Sequence, residues 1–492
     1  MSLKSPKMSP LSEQTTVEGS EQASTNHDRA AEKAVLRKVD WHILPLITLI
    51  YMLAFLDRAN IGNGRLFGLE KDLGLRGNQF QTAVAVFFAT YVACEVPSAI
   101  FLKKLRPARF ISGIAVLWGI VTTFTGFVQN YESLLACRLL LGLVEGPLFP
   151  CLIVYLTFFY TRKELAVRFG YVVLGGALSG AVSGLLAYAI GYIDGRHGFR
   201  AWRWLLLIEG PPSIALGVFG WLFLADSPET AWYLSPSQRK SLIRRSARDE
   251  REASTPSAGT LHRSDVVAAF KDWKVWAFSV LNFLADIQIF SYAYFLPTII
   301  KAINPAWSTV YVQALTIPCF IWAAIAFFAV AYASDRLQHR AVFGILACLV
   351  SIIGHVMLIA GHNVAVQYTG CFFIATGIYV VSGIAIVWMP TNLPRYGKRS
   401  TAVGMQLMIG TSAGIPAPYL YPTGDTPRYV MGHAVTIGLL GLCAVVNGVL
   451  WWSMVNTNRK RAAGKEDWKL SDLTDEEIDE LGDKSPRFIF AT

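Results

Sequence analysis

The sequence contains few charged residues, and this shortage excludes an ordinary water-soluble protein. Lysine, arginine, aspartate and glutamate together make up 16% of the 492 residues, whereas soluble domains contain about 25%. Hydrophobic residues reach 53%, and the mean hydropathy is +0.41. Most of the chain is therefore expected to lie in an environment less polar than water.

Motifs for nucleotide binding and metal catalysis are also missing. The sequence has no G-x-x-x-x-G-K-[ST] phosphate loop, which argues against ATP-driven transport, and no H-E-x-x-H zinc motif. Its seven cysteines all lie in apolar segments, which is typical of small buried hydrophobic residues rather than disulfides or metal ligands. We therefore expect neither an enzyme nor a cofactor.

What the sequence does contain is a series of long apolar runs. A helix needs roughly 20 mostly apolar residues to cross the hydrocarbon of a bilayer, and about twelve runs meet this requirement. We predict an all-α membrane protein whose twelve transmembrane helices form two pseudo-repeated six-helix bundles. The runs lie at approximately 41–57, 79–102, 110–128, 132–158, 169–192 and 202–224, then 273–300, 308–333, 341–360, 365–390, 401–421 and 429–456.

Polar segments flank and separate the two predicted bundles. Residues 1–40 begin with a stretch rich in Ser, Thr, Glu and Pro, which predicts a disordered cytosolic tail. The bundles then occupy 41–224 and 273–456, joined by the charged, Ser-rich segment 225–272. Because irregular backbone is not tolerated in lipid, that segment must lie outside the bilayer, and 457–492 form a second cytosolic tail.

The distribution of positive charge predicts the orientation. Lysine and arginine cluster in the loops after the second, fourth, eighth and tenth runs, whereas the loops after the third and ninth runs contain neither. Positive loops stay in the cytosol, so both termini are expected there. The loops after the first and fifth runs are exceptions. The net charge of +10 thus sets topology, and nucleic acid is not an expected partner.

Several motifs resemble those of a known transporter superfamily. The twelve-run layout and the segment "ASDRLQHR" are similar to the major facilitator superfamily, whose cytosolic loops carry a D-R-x-x-R-type pattern. In this sequence Asp335, Arg336 and Arg340 match that pattern. The resemblance implies that these three residues belong to a gating loop.

A closer resemblance is to the fungal branch of the anion:cation symporter family, the allantoate and nicotinic-acid permease-like proteins. The segments that carry it extend over nearly the whole chain and include "LDRANIGNGRLFGLEKDLGL", "RLLLGLVEGPLFP", "WRWLLLIEGPPSIALGVF" and "DSPETAWYL". The resemblance implies a proton-coupled symporter of small organic anions. Such a carrier works by alternating access between its two bundles.

Three charged residues in the first half are candidates for this chemistry. By the resemblance, Arg58 meets the substrate carboxylate, while Asp57 and Glu145 take part in proton coupling. The guanidinium of Arg58 suits that role, because it binds carboxylates bidentately and stays charged. The residues alone also allow structural roles: Asp57 and Arg58 as an interfacial pair at the end of the first helix, and Glu145 as a hydrogen-bonding partner of a neighbouring helix.

In the second half, Asp286 and Gln288 lie within the seventh run. A charged residue at the membrane centre costs about 2.5–3.5 kcal/mol, so Asp286 is expected to have either a structural or a substrate-binding role. Tyr292, in the same run, is a candidate for lining the pocket, and helix packing is the alternative for any single aromatic residue. We include Asp286, Gln288 and Tyr292 among the predicted substrate-binding residues.

Together these features predict a monomeric, multi-pass carrier, in the plasma membrane, that imports a carboxylate such as nicotinate, allantoate or a related compound with protons. Two alternatives remain open on the sequence alone. In the first, the chain is a proton-driven exporter of a secondary metabolite; in the second, it is a non-transporting nutrient sensor with the same fold.

Overall fold

The computed structural model describes residues 10–102, 106–252, 262–425, 428–470, 473–474, 477–478 and 481–492. The basic pair Lys103–Lys104 and the start of the predicted disordered tail, residues 1–9, lie outside the described residues. The rest of that tail, residues 10–40, has helical backbone continuous with the first membrane helix. Its second half is rich in Ala, Glu, Lys and Arg, which are strong helix formers.

The first half of the chain forms eight helices. In chain order they are α1 (Pro10–Leu66), α2 (Leu69–Asp72), α3 (Gln79–Leu102), α4 (Pro107–Thr125), α5 (Tyr131–Glu145), α6 (Leu148–Phe159), α7 (Arg162–Gly191) and α8 (Ala201–Phe223).

Two shorter helices lie in the connecting segment, and six long ones follow. The connecting helices are α9 (Pro236–Glu252) and α10 (Arg263–Lys271), and the second bundle contains α11 (Trp273–Ile303), α12 (Thr309–Leu337), α13 (Arg340–Ala360), α14 (Val364–Thr391), α15 (Tyr396–Ser412) and α16 (Val430–Ala462).

These helices correspond to the predicted twelve-span, all-α architecture. Within the part of the chain that the structure describes, nine helical stretches are long and apolar enough to cross a membrane. One of them, Tyr131–Phe159, combines α5 and α6 into the fourth span. The remaining three of the twelve positions are occupied by α3, α7 and α15.

The fourth span is interrupted between α5 and α6. Helix α5 ends at Glu145, and Gly146 and Pro147 separate it from Leu148, the first residue of α6. Proline lacks a backbone N–H and clashes with the preceding turn, so a break at this point is expected. The break leaves Glu145 at the end of a helix in the interior of the bundle, where it is fully buried.

The two bundles contact each other at one end. We call the end that holds α9, α10 and the C-terminal residues the tail side, and the opposite end the distal side. On the distal side, Thr82 of the first bundle and Tyr419 of the second share a hydrogen bond of 3.0 Å between their hydroxyl groups. Nearer the bundle centre, the rings of Phe88 and Phe290 lie 4.8 Å apart. The distal side is therefore closed between the bundles.

On the tail side, the last residues of the chain pack against the second bundle. The carbonyl oxygen of Ala491 accepts hydrogen bonds from the indole of Trp388, at 2.7 Å, and from the amide of Asn392, at 3.1 Å. Phe490 exchanges two hydrogen bonds of 2.9 Å with Asn458. These contacts connect the C-terminus to α14 and α16.

Asp483 holds the same tail by charge. Its carboxylate oxygens lie 2.8 Å from the ammonium of Lys274 at the start of α11 and 2.7 Å from that of Lys398 near the start of α15. Burial alone would raise the pKa of Asp483, but the two ammonium groups hold that pKa below its ordinary value. The tail thus joins the ends of α11, α14, α15 and α16.

Candidate transport site

Asp57 and Arg58 lie within α1 rather than at its end. The sequence analysis ends the first run at residue 57, whereas α1 continues to Leu66. The added residues include Asn60 and Asn63, whose side chains are buried and hydrogen-bonded inside the bundle. Apolarity alone does not reveal a polar helical segment whose partners lie on other helices. The interfacial pair considered from the sequence therefore does not describe the observed geometry.

Arg58 forms a buried ion pair with Glu145. Its Nε and Nη2 atoms both donate to the same carboxylate oxygen, Oε1, at 3.0 and 2.6 Å. The Arg58 side chain is 10% exposed and that of Glu145 is fully buried. The second oxygen of Glu145 has no hydrogen-bond partner among the described residues. Removal of one member of a buried pair typically costs about 3–5 kcal/mol, so each residue depends strongly on the other.

Aromatic rings surround the guanidinium of Arg58. The rings of Phe55 and Tyr91 are each centred 4.7 Å from its central carbon, and that of Phe87 is 5.6 Å away. Cation–π contacts of this kind stabilise a desolvated guanidinium by about 2 kcal/mol. They also leave flat apolar surfaces beside a guanidinium that can bind an anion.

Two glycines allow α5 to bring Glu145 close to this group. A side chain at Gly142 would collide with the carbonyl oxygen of Phe87, and one at Gly146 would lie 2.5 Å from the carbonyl oxygen of Tyr91. Small residues are the usual means by which membrane helices approach closely. Here they place the carboxylate of α5 against the aromatic face of α3.

Asp57 does not pair with Arg58, although the two are adjacent in sequence. Successive residues of a helix point roughly 100° apart, and Asp57 is directed towards α4 and α5. Its Oδ2 accepts a 3.2 Å hydrogen bond from Thr122, and the positive charge of Arg138 acts on it. Its Oδ1 has no hydrogen-bond partner in the described part of the chain. The predicted proton-coupling residues Asp57 and Glu145 thus have different hydrogen-bond partners, although the charge of Asp57 also acts on Glu145.

A second buried acid, Glu209 of α8, lies beside Asp57 and was not selected from the sequence. Its Oε2 accepts a 2.6 Å hydrogen bond from the amide of Asn60, and the residue is 2% exposed. The signal that pointed to Glu145, a lone acid inside an apolar run, is equally present in "LLLIEGPPS". A systematic search for such acids would have found it.

In the second bundle, Asp286 lies among hydroxyl and amide groups. Its two oxygens accept hydrogen bonds from Ser382 of α14, at 2.9 Å, and from Asn282 one turn earlier in α11, at 2.8 Å. Gly410 of α15 packs directly over these groups, because an added side chain there would lie 2.6 Å from the carboxylate. Asp286 therefore links α11 to α14 through a neutral hydrogen bond, and α15 packs closely over it.

The face of α11 that carries Asp286 continues towards Arg58. Phe290 and Tyr294 follow at intervals of four residues, so all three side chains lie on one side of the helix. The ring of Phe88, which belongs to the first bundle beside Arg58, is 4.8 Å from that of Phe290 and 6.4 Å from that of Tyr294. Phe290 and Tyr294 are thus pocket candidates that the sequence analysis did not name.

Gln288 and Tyr292 point in a different direction. The hydroxyl of Tyr292 donates to the carbonyl oxygen of Cys371 in α14, at 2.9 Å, and its ring lies 6.0 Å from that of Phe320 in α12. Gln288 is 2% exposed, and its amide has no hydrogen-bond partner among the described residues. The structure does not bring these two residues to Arg58.

The predicted gating residues lie on the tail side of the second bundle. Arg340 pairs with Asp335 at 3.2 Å and donates to Thr391 at 2.8 Å, so it connects the loop after α12 to the end of α14. The guanidinium of Arg336 lies 4.8 Å from the ring of Tyr332. The backbone N–H of Arg340 also donates to the carbonyl oxygen of Thr492 at 2.8 Å, so this loop contacts the C-terminal tail.

Metal chemistry has no obvious basis in the part of the chain that the structure describes. Within it, no group of three or more histidine, cysteine or acidic side chains is arranged to hold an ion. The residues at the site instead offer one guanidinium, several carboxyl groups and flat aromatic surfaces. Such a set can bind an anion and exchange protons.

Comparison with known proteins agrees with this architecture. Residues 47–418 match the family model described as Major Facilitator Superfamily. An uncharacterised transporter of Schizosaccharomyces pombe is 35% identical, covering 94% of this chain and 91% of that protein. The high-affinity nicotinic acid transporter of Saccharomyces cerevisiae is 33% identical, covering 82% of this chain and 75% of that protein.

A solved structure shares the fold at low sequence identity. A bacterial homologue of the human lysosomal transporter Spinster, in an inward-facing and unoccupied conformation, superposes with a TM-score of 0.68 at 16% identity. The match covers 83% of this chain and 96% of that one. The family match over most of the sequence, the transporter relatives and the helical bundles lead to one conclusion: the chain belongs to the major facilitator superfamily and is a multi-pass membrane transporter, not an enzyme.

Proposed function

We propose that this transporter imports a small organic anion together with protons, and that the Arg58–Glu145 pair couples the two. The observation that carries the proposal is that Arg58 directs two donors to one oxygen of Glu145 in a buried aromatic environment. A substrate carboxylate would need those same donors. Anion binding therefore competes with Glu145 for Arg58.

Protonation resolves this competition in favour of the anion. A proton on Glu145 removes its negative charge, which weakens its hold on Arg58 and leaves the guanidinium free for a carboxylate. When the proton leaves towards the cytosol, the Glu145 carboxylate recaptures Arg58 and releases the anion. The cycle thus needs both ligands to be present before the loaded carrier changes its access, as alternating access requires.

The aromatic surroundings favour a flat carboxylate. The rings of Phe55 and Tyr91 lie beside the guanidinium, and Phe88, Phe290 and Tyr294 extend the same apolar surface. Rings of this kind can pack against a planar heteroaromatic acid. The identity of 33% with a high-affinity nicotinic acid transporter supports nicotinate as the first compound to test.

We also propose how the carrier is oriented and in which membrane it lies. The distal side faces the outside, both termini lie in the cytosol, and the carrier acts as a monomer in the plasma membrane. The positive loops support this orientation. A membrane potential supplies about 2.3 kcal/mol per 100 mV for each net charge moved, so anion import gains from it only if more than one proton enters with each anion.

Uptake of radiolabelled nicotinate by cells that express the chain tests the function. We expect accumulation that a protonophore abolishes. In Arg58→Lys, we expect uptake to fall by about tenfold to a hundredfold, because a lysine cannot reproduce the two parallel hydrogen bonds, each worth about 1.5–3 kcal/mol. Arg196→Lys, an exposed arginine of a distal loop, serves as the control.

Other outcomes separate the alternatives. Wild-type uptake in Arg58→Lys would remove this residue from the mechanism. Cells that accumulate less label when they express the chain than when they lack it would indicate export. Binding of nicotinate by the purified protein without any flux would indicate a sensor.

A further inference from the structure

The carboxyl group of Glu209 is buried, and only one of its two oxygens has a hydrogen-bond partner among the described residues. One oxygen accepts a hydrogen bond from the amide of Asn60 at 2.6 Å, and the other, Oε1, has no hydrogen-bond partner among the described residues. The residue is 2% exposed in the middle of α8. An ionised carboxylate removed from water is strongly disfavoured unless it is paired and fully hydrogen-bonded. A single neutral amide does not meet that requirement.

The amide of Asn60 is held in place by its own partners. Its carbonyl oxygen accepts hydrogen bonds from Ser183 of α7, at 2.8 Å, and from Asn63, at 3.2 Å. This arrangement fixes the carbonyl end of the side chain and turns its NH₂ end towards Glu209. Asn60 therefore positions Glu209 but contributes no charge to balance it.

Asp57 is the closest acidic neighbour along α1. It precedes Asn60 by three residues, and side chains at that spacing are separated by about 5–6 Å on one helix face. The negative charge of Asp57 interacts with the carboxyl group of Glu209. Like Glu209, it is buried, at 1% exposed, with one oxygen that has no hydrogen-bond partner in the described part of the chain. Two incompletely bonded carboxyl groups thus lie together between α1 and α8.

Positive charge near this pair is insufficient for both acids. Arg138 of α5 acts on Asp57 and on Glu209. Arg58 is engaged by Glu145, and Glu95 of α3 also faces Arg58. The adjoining helices α4 and α7 contribute hydroxyl groups, from Thr122 and Ser183. Arg58 also acts on Asp57, and Glu145 acts on Glu209, so three acids, Asp57, Glu145 and Glu209, share the charges of Arg58 and Arg138. Three like charges so close cannot all remain ionised.

We propose that Asp57 and Glu209 share one proton, which makes them a second proton-binding site in addition to Glu145. Protonation forms one O–H bond on a carboxyl oxygen and takes its proton from hydronium, which becomes water; release reverses this step. With the site occupied, one neutral acid, one carboxylate and Arg138 have no net charge.

The presence of this proton does not depend on the proposed function, but its use does. If both Glu145 and the Asp57–Glu209 site load and unload a proton in each cycle, two protons enter with each monovalent anion. One net positive charge then moves inward per cycle. The second site thereby supplies the charge that lets an anion be imported with the membrane potential rather than against it.

Infrared spectroscopy of the purified full chain in nanodiscs, without substrate, tests the presence of the proton. Difference spectra between wild type and each variant separate the band of this site from those of other acids in the bundles, such as Glu95 and Asp286. At neutral pH we expect a C=O stretching band of a buried carboxylic acid that shifts when H₂O is replaced by D₂O. Glu209→Gln should remove it. Asp57→Asn should remove the same band, because Glu209 alone can then ionise opposite Arg138. Glu477→Gln, at an exposed tail residue, should leave it unchanged.

The contrary results distinguish the presence of the proton site from the sharing of its proton. A difference spectrum between wild type and Glu209→Gln that contains no such band would overturn the site, and a band that is lost in Glu209→Gln but not in Asp57→Asn would overturn the sharing. If Glu209→Gln is not recovered in folded form, Glu209→Asp should shift the band, and an unshifted band would again overturn the site.

The use of the proton is measured separately in proteoliposomes with nicotinate as the probe. The number of protons entering per nicotinate, read with an enclosed pH-sensitive dye, should fall by one in Glu209→Gln. An unchanged ratio would overturn the transport role while leaving the infrared result intact. Absence of nicotinate uptake in the wild type would count against the proposed function and not against the proton site.

Discussion

At the scale of single residues, the proposed mechanism depends on which charged side chains form ion pairs with each other. Arg58 and Glu145 are 87 positions apart in sequence and share a buried ion pair, whereas Arg58 and its neighbour Asp57 do not. The sequence indicates that charges in apolar runs have a function, because burying them is costly. It does not indicate their partners, because those follow from how the helices pack. Asp57 and Glu145 remain predicted proton-coupling residues, each with different hydrogen-bond partners.

Two tyrosines of α11 are predicted to have different roles. The hydroxyl of Tyr292 donates to the carbonyl oxygen of Cys371, away from Arg58, so Tyr292→Phe should cost about 1 kcal/mol of stability. Its apparent KM for nicotinate should stay at the wild-type value. Tyr294→Ala removes a ring from the pocket face and should raise that KM. Thermal unfolding and uptake kinetics of both variants check this, and the reverse pattern would contradict the assignment.

The contrast between these residues shows a limit of reasoning from the sequence. Asp286 stands out in the sequence as a costly charge in an apolar run, whereas Gln288 and Tyr292 are close to it in sequence but lie on other faces of the helix. Positions two apart lie about 200° apart around a helix, whereas positions four apart lie nearly in line. Adding this periodicity would have selected Phe290 and Tyr294.

At the scale of secondary-structure elements, the structure adds contacts at the first helix and at the C-terminal segment that the sequence does not predict. The first apolar run ends near residue 57, but α1 continues to Leu66 because its polar residues bind partners on α7 and α8. The C-terminal segment, expected as a cytosolic tail, packs against the ends of several helices of the second bundle. Such interactions between distant segments have no local signal in the sequence.

Removal of the Asp483 charge should release the C-terminal tail. At neutral pH, Asp483→Asn leaves Lys274 and Lys398 without this partner, which costs roughly 3 kcal/mol. The amide protons of Phe490 and Ala491 should then exchange about 100-fold faster, because about 1.4 kcal/mol corresponds to tenfold. Hydrogen-exchange mass spectrometry checks this, with the exposed Lys484→Gln as control.

The effect should depend on pH in a defined direction. Because the pKa of Asp483 is lowered in the folded protein, its contribution is complete above the ordinary value of about 3.9 and is lost as the pH falls through the lower folded value. The difference between wild type and Asp483→Asn should therefore vanish in strong acid. A difference that instead grew on acidification would show that Asp483 does not hold the tail by charge.

At the scale of the whole molecule, the sequence predicts the two-bundle fold, and the family match and the solved structure confirm it. The sequence does not predict that the distal side is closed. It depends on contacts such as Thr82 with Tyr419, which join positions 337 residues apart. A carrier must form and break such contacts in each cycle, so a sequence consistent with two states does not determine which is observed.

Cross-linking of the distal side should stop transport. In a background with the native cysteines replaced by alanine, a bifunctional maleimide joined to Thr82→Cys and Tyr419→Cys should hold the bundles closed there and abolish nicotinate uptake. A pair at the end of α7, Tyr188→Cys and Tyr192→Cys, is the control because both residues belong to the first bundle and their cross-link cannot restrain bundle motion. Full uptake after complete cross-linking of the first pair would show that the distal side does not open.

Coupling between anion and proton at Arg58 and Glu145 can be measured as the number of protons taken up when an anion binds. Calorimetric titration of the purified carrier with nicotinate, in buffers of different ionisation enthalpy, gives this number directly. We predict about one proton taken up per nicotinate in the wild type, because protonation of Glu145 must accompany capture of Arg58, and none in Glu145→Gln. Binding of nicotinate without proton uptake in the wild type, or with the same uptake in Glu145→Gln, would contradict the mechanism.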